Sequence, residues 1–194
     1  MTDTEFYQSL EITQLNQLLE NYKEEDVINL LRTFSCEKNK DLEDFLHNPD
    51  KAIRLERNHV TRTYLYSTIN EKLDLFIVGY FTINLKILDT KGLSSSIIKK
   101  LDGIDKKRKH IPCYLIAQLG KNNNCDFKIG QFILDEAIEI ITELNKIVGG
   151  RFIILDSVNI EKVIYFYTKD PNSFILLDKK DSEKENLKMY YPLI

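Results

Sequence analysis

The chain is poor in the residues that staple or interrupt a fold: no tryptophan, three cysteines, four prolines and seven glycines in 194 residues. Cys36, Cys113 and Cys125 are odd in number and lack Cys-x-x-Cys spacing, so a disulfide framework and a thiolate zinc site are poor readings and reduced thiols are expected. His47 and His59 stand too far apart for a metal motif, and no second ligand cluster accompanies them. No apolar run reaches the ~18 residues of a membrane span. The first thirty residues are studded with Glu, Asp and Asn, which argues against a signal peptide. A cytoplasmic protein with no membrane partner is expected. A dominant charge is lacking too, since a net −3 exerts no global pull on nucleic acid. What is present is 43% hydrophobic residues, enough for one core without disulfides or metals.

The strongest pattern runs from Ile111 to Asp156. Cys113, Tyr114, Leu115, Ile116, Ala117, Gln118 and Leu119 are almost all apolar, which predicts a central strand covered on both faces. The polar loop from Lys121 to Asp126 leads into Ile129, Phe132, Ile133, Ala137, Ile138, Ile140, Ile141 and Leu144, spaced for one face of a helix. Gly149 and Gly150 supply a C-cap, and Arg151, Phe152, Ile153, Ile154 and Leu155 read as a second strand. A right-handed crossover would place both strands in one sheet. The free N–H groups at the helix start would then suit a phosphorylated cofactor.

Around this unit the chain punctuates itself. Leu10, Ile12, Leu15, Leu18, Leu19 and Tyr22 fit one helix face, and Val27, Ile28, Leu30, Leu31 and Phe34 fit a second. These helices would cover the sheet, or else form a homodimer contact or partner-binding hairpin. Asn39 caps a predicted helix through Leu42, Phe45 and Leu46, and Pro49 opens another with Ala52, Ile53 and Leu55. Thr63–Thr68 and Leu75–Leu88, around Asn70, Glu71 and Lys72, predict an antiparallel hairpin at the leading edge of the sheet. Between Asp89 and His110 the apolar pattern lapses. That stretch holds Lys99, Lys100, Lys106, Lys107, Arg108 and Lys109, and reads either as a solvated surface loop or as a patch drawing phosphates or RNA, with Lys106–His110 its contiguous part. Ser173–Asp178 and Leu187–Tyr191 bracket the charged stretch Lys179–Glu185 as a closing antiparallel pair.

Several segments together resemble the GNAT-type N-acetyltransferases, in the branch that includes aminoacyl-tRNA-acetylating toxins. The family's pyrophosphate loop reads Gln or Arg, two residues, Gly, one residue, Gly or Ala; here Cys125, Asp126, Phe127, Lys128, Ile129, Gly130 keeps the last glycine and places Lys128 at the first. Val163, Ile164, Tyr165, Phe166, Tyr167 followed by Phe174 resembles the family's helix ending in Phe-Tyr and the strand after it. Upstream, Phe34–Cys36, Leu42–Leu46, Arg62–Leu65 and Val78–Phe81 extend the likeness to roughly residues 34 to 193. Residues 1–33 would be an N-terminal helical extension, and 34–194 a single GNAT-like α/β (α+β) domain. The implied fold is a mixed, mostly antiparallel sheet with helices on both faces and a splayed central pair of parallel strands.

The resemblance implies acetyl transfer from acetyl-CoA, as co-substrate, to a primary amine. It gives Tyr167 the role of proton donor to the departing thiolate. Backbone of Leu119, Gly120 and Lys121 would pair with the pantetheine amides like an added strand. Phe127, Lys128, Ile129, Gly130 and Gln131 would bind the pyrophosphate, and Asn159 would face the cofactor, although it stands one residue early. The two predicted helices around Asp44, His47, Glu56 and His59 would flank the acceptor. Asp156 would either relay a proton through water or cap the helix beginning near Val158. The competing reading is a non-catalytic GNAT-fold protein that holds RNA or a protein partner, supported by the lost glycine.

Overall fold

Runs rich in β-branched and aromatic residues become strands, and they lie side by side. In the computed structural model, which describes residues 3–69, 74–177 and 184–193, the strands are β1 (Glu11–Gln14), β2 (Arg62–Ile69), β3 (Leu75–Asp89), β4 (His110–Lys121), β5 (Phe152–Val158), β6 (Ile175–Leu176) and β7 (Asn186–Pro192). Their order is β1-β2-β3-β4-β5-β7-β6. β1 with β2, β2 with β3, β5 with β7 and β6 with β7 are antiparallel, whereas β4 and β5 are parallel. The parallel register spans Tyr114 with Ile153 and Leu115 with Ile154, a short stretch of a 12-residue strand, as a splayed pair requires. This is the mixed sheet that the resemblance implied. The expected turn at Asn70, Glu71 and Lys72, and Asp178–Glu183 of the closing pair and its charged loop, lie outside the described residues.

The chain divides into two compact units. The first, Met1–Asn84 with Gln118–Ile138, holds α1 (Asp3–Gln8), α2 (Leu15–Asn21), α3 (Glu24–Leu31), α4 (Lys40–His47), α5 (Ala52–Arg57) and the start of α7 (Gly130–Val148). Leu15, Val27, Leu31, Phe34, Phe45, Leu46 and Ile53 from the helical segments pack with Leu65, Ile77 and Tyr80 of β2 and β3. Strict alternation would not put Ile77 and Tyr80 on one face; a register shift at Tyr66/Ser67 restores the match. On the opposite face Gly79 lets α7 approach, because a Cβ there would lie 2.3 Å from Ile133 Cδ1.

The sequence reading missed α1 (Asp3–Gln8), and two further elements depart from it. Leu10 to Tyr22 was expected as one helix, but Glu11–Gln14 form β1, paired with Tyr64–Ser67, and α2 starts only at Leu15. Short helices gain little alone, whereas four residues alongside β2 complete a ladder. β1 is therefore the sheet edge, and the β2–β3 hairpin lies inside it.

The second unit is Leu85–Ala117 with Glu139–Ile194. It contains the other departure, α6 (Ser95–Asp102), in the stretch where the apolar pattern lapses. Ser94 Oγ accepts the Ile97 N–H, Ile98 and Leu101 are buried, and Gly103 ends the helix at φ 84°. Two buried residues are too few to register as a period. Ile98 and Leu101 pack with Leu88, Ile111, Phe152, Ile154 and Tyr190. At the end of α7, Gly149 (φ 75°) turns the chain and its carbonyl accepts the Tyr114 hydroxyl at 2.7 Å. α8 (Glu161–Thr168) follows β5. Among the described residues no helix is long and apolar enough to cross a membrane.

Candidate functional site

In the first unit, the segment leaving β4 is tied down before it turns. Asn122 is fully buried: its amide donates to Thr33 O at 2.9 Å and Ile77 O at 2.6 Å, and its Oδ1 accepts the Asn124 N–H at 2.9 Å. Its own N–H donates to Val78 O. Of the backbone expected along pantetheine, Gly120 is packed from behind, where a Cβ would meet Leu42, Phe34 and Tyr80 at 3.1 to 3.3 Å. Leu119 and Lys121 are half-buried beside it.

The turn Phe127–Ile129 then delivers α7. The Ile129 N–H donates to Phe127 O and the Ile133 N–H to Ile129 O, so the ladder starts here and N–H groups of the first turn lie ahead of it. Beside Gly130 nothing lies within 4 Å of where a Cβ would stand, so neither packing nor a positive φ requires glycine. Lys128 is exposed and Gln131 Nε2 donates to Asp135. The predicted residues Phe127–Gln131 are thus one continuous helix entry. Sequence reasoning missed what braces it. Phe6 of α1 is buried and stacks on Phe127 at 3.8 Å and 9°, Tyr7 lies 5.4 Å from the Phe132 ring, and the Tyr7 hydroxyl donates to Lys128 O at 3.3 Å. A cleft of about 570 Å³ elsewhere in this unit, lined by Leu18, Leu30 and Leu65 with Glu11, Asp26 and Asp74, has the wrong charge for a phosphate.

In the second unit, α8 carries Tyr167, 8% exposed, its ring edge-on to Phe166 at 5.1 Å and to Phe174 at 5.7 Å. The Phe174 N–H donates to Tyr167 O, so the residues of the predicted Phe-Tyr and Phe pattern do come together. Burial pushes the phenol up to about 12. Asn159 lies between β5 and α8; its amide donates to Lys184 O and its N–H to Glu185 O, both at 2.8 Å. Asp156 neither ends β5 nor caps α8, because the strand continues to Val158 and Ile160 is the cap residue. Its carboxylate lies 3.7 Å from Lys86 and 3.5 Å from Lys188.

The polar residues of α4 and α5 are engaged locally. Asp44 pairs with Lys51, and His47 Nε2 lies 2.8 Å from Phe34 O. Glu56 is buried, accepts the Thr63 N–H at 2.8 Å and pairs with Arg62 at 3.2 Å, while Arg62 also reaches His59 Nδ1 at 2.7 Å. Burial raises the Glu56 carboxyl above its ordinary range, against the opposing pull of Thr63 and Arg62. In the second unit Lys106–His110 are all exposed, and Arg108 is paired with Asp102 at 3.0 Å.

Family models and curated proteins give no match to the chain. Solved structures do, and they define its class: the fold is the GNAT fold. AtaT complexed with acetyl-methionyl-tRNAfMet superposes with a TM-score of 0.67 and 22% identity over 94% of each chain. A tyrosine-to-phenylalanine mutant of KacT gives 0.68 and 19% over 95% of each. A tyrosine-to-phenylalanine mutant of the AtaT toxin, bound to the C-terminus of the antitoxin AtaR and to acetyl-CoA, gives 0.64 and 19% over 95% of this chain and 94% of that one.

Proposed function

We propose that the chain is an acetyl-CoA-dependent N-acetyltransferase of the toxin-like branch, acting on an amine carried by RNA. The observation that carries this reading is the fold, a mixed sheet with a short central parallel pair joined by α7, shared with AtaT structures that hold acetyl-CoA or an acetylated aminoacyl-tRNA. The Phe127–Gln131 entry to α7 suits the pyrophosphate, having free space at Gly130 and a cation at Lys128. Backbone of Leu119, Gly120 and Lys121 pairs with the pantetheine arm, and Asn159 contributes a cofactor contact. The neutral amine nitrogen attacks the thioester carbonyl carbon and the carbon–sulfur bond breaks. Tyr167 Oη gives its proton to the departing sulfur and is reprotonated by the proton the new amide nitrogen releases. The exposed Lys106–His110 segment supplies the charge for an RNA-borne acceptor.

Calorimetric titration with acetyl-CoA tests the reading, with micromolar or tighter binding expected. Labelled acetyl-CoA offered with amines, peptides and charged tRNA pools should then label the tRNA pool. Absence of heat and of thermal shift at millimolar cofactor would replace the enzyme by a GNAT-fold binding protein.

A further inference from the structure

We infer that α1 is a strap that sets the geometry of the pyrophosphate-binding turn, with Phe6 and Tyr7 as positioning residues; this rests on the acetyl-CoA reading above. A six-residue helix is not stable by itself, so α1 persists through what it touches, and much of what it touches is the entry to α7. The Phe6 ring lies flat on Phe127, the residue that opens the turn, and the Tyr7 ring borders Phe132 in the first turn of the helix. Between them the Lys128–Ile129 peptide is held at both ends: its carbonyl accepts the Tyr7 hydroxyl, and its N–H donates to Phe127 O. Fixing that peptide plane fixes the direction of the Gly130 and Gln131 N–H groups that follow. Ser9 anchors the far end of the strap through Phe6 O at 2.7 Å and Thr68 Oγ1 at 3.4 Å. Where the family's loop has its first glycine this chain has Lys128, and the strap offers the turn an external brace at that residue.

The test is calorimetric titration of CoA into the full chain, its Phe6→Ala and Tyr7→Phe variants, and Phe6→Ala combined with Gly130→Val. An aromatic pair is worth enough that Phe6→Ala should weaken CoA binding about tenfold, and loss of one hydrogen bond should make Tyr7→Phe weaker by about threefold. Because Phe6 acts through the turn, its replacement should cost almost nothing further once Gly130→Val has blocked the turn, a coupling that general destabilisation would not produce. CoA affinities of Phe6→Ala and Tyr7→Phe equal to that of the unmodified chain would overturn the strap alone, as would additive effects in the double variant. If Phe6→Ala does not fold, Tyr7→Phe, alone and with Gly130→Val, decides. Failure of the unmodified chain to bind CoA would overturn the acetyl-CoA reading and the strap with it.

Discussion

Removing one oxygen atom from Tyr167 separates its two possible duties. Phenylalanine keeps the ring beside Phe166 and Phe174, so Tyr167→Phe should leave acetyl-CoA affinity unchanged and lower kcat by about 10²-fold; an unchanged kcat would make Tyr167 a packing residue. The phenol titrates at about 12 and therefore keeps its proton at working pH, so the kcat profile should not fall through Tyr167 ionisation below about pH 10. A different residue governs stability. Arg62→Ala would leave the Glu56 carboxylate buried without its cation, costing about 2 kcal/mol or more. Because the folded Glu56 pKa already lies above its unfolded value, the native state binds the proton more readily, and this group's contribution is fully present below the unfolded pKa and lost as pH rises through the folded one. The Arg62→Ala deficit in urea unfolding should accordingly shrink as pH is lowered from neutral toward the carboxylate range. Tyr167 stood out only through its resemblance to the family's Phe-Tyr, and its packing against Phe166 and Phe174 was not legible from the sequence. Asn122 did not stand out: among three consecutive asparagines nothing marks the one whose partners, Thr33 and Ile77, are 89 and 45 residues away.

Among elements, α7 offers the cleanest separation of fold from site. Val at Gly130 meets open space, so Gly130→Val should keep the melting temperature within a degree or two while weakening CoA binding about tenfold, as calorimetry and thermal melts would show. Unchanged affinity would remove the turn from cofactor binding. α7 could be read in advance because its period repeats several times, and β4 and β5 because they are continuous apolar, β-branched runs. β1 and α6 could not. β1 has four residues and continues the helical spacing of α2, and its identity is decided by β2, far along the chain. α6 fully buries only Ile98 and Leu101, with Ile97 partly buried among Ser, Lys and Asp, so its amphipathicity is thin. α1 escaped for a related reason: Phe6 and Tyr7 are adjacent, and adjacency carries no period.

For the whole molecule the net −3 charge makes RNA binding a matter of local fields rather than global attraction. Lys106, Lys107 and Lys109 are exposed, whereas Arg108 is already paired with Asp102. Replacing those three lysines by Ala should flatten the log–log salt dependence of tRNA binding by about 2 to 3, whereas Arg108→Ala should change it least. An unaltered slope in the triple-lysine variant would move the RNA surface elsewhere. The sheet edge has a consequence for biosynthesis. Gln14 meets its partner Tyr64 fifty residues later, and a ribosome adding about 5 to 20 residues per second delivers that partner only after several seconds. During that interval the Glu11–Gln14 segment, with Ile12 among its four residues, has no strand to pair with, so nascent chains halted between β1 and β2 should be the form most dependent on chaperones.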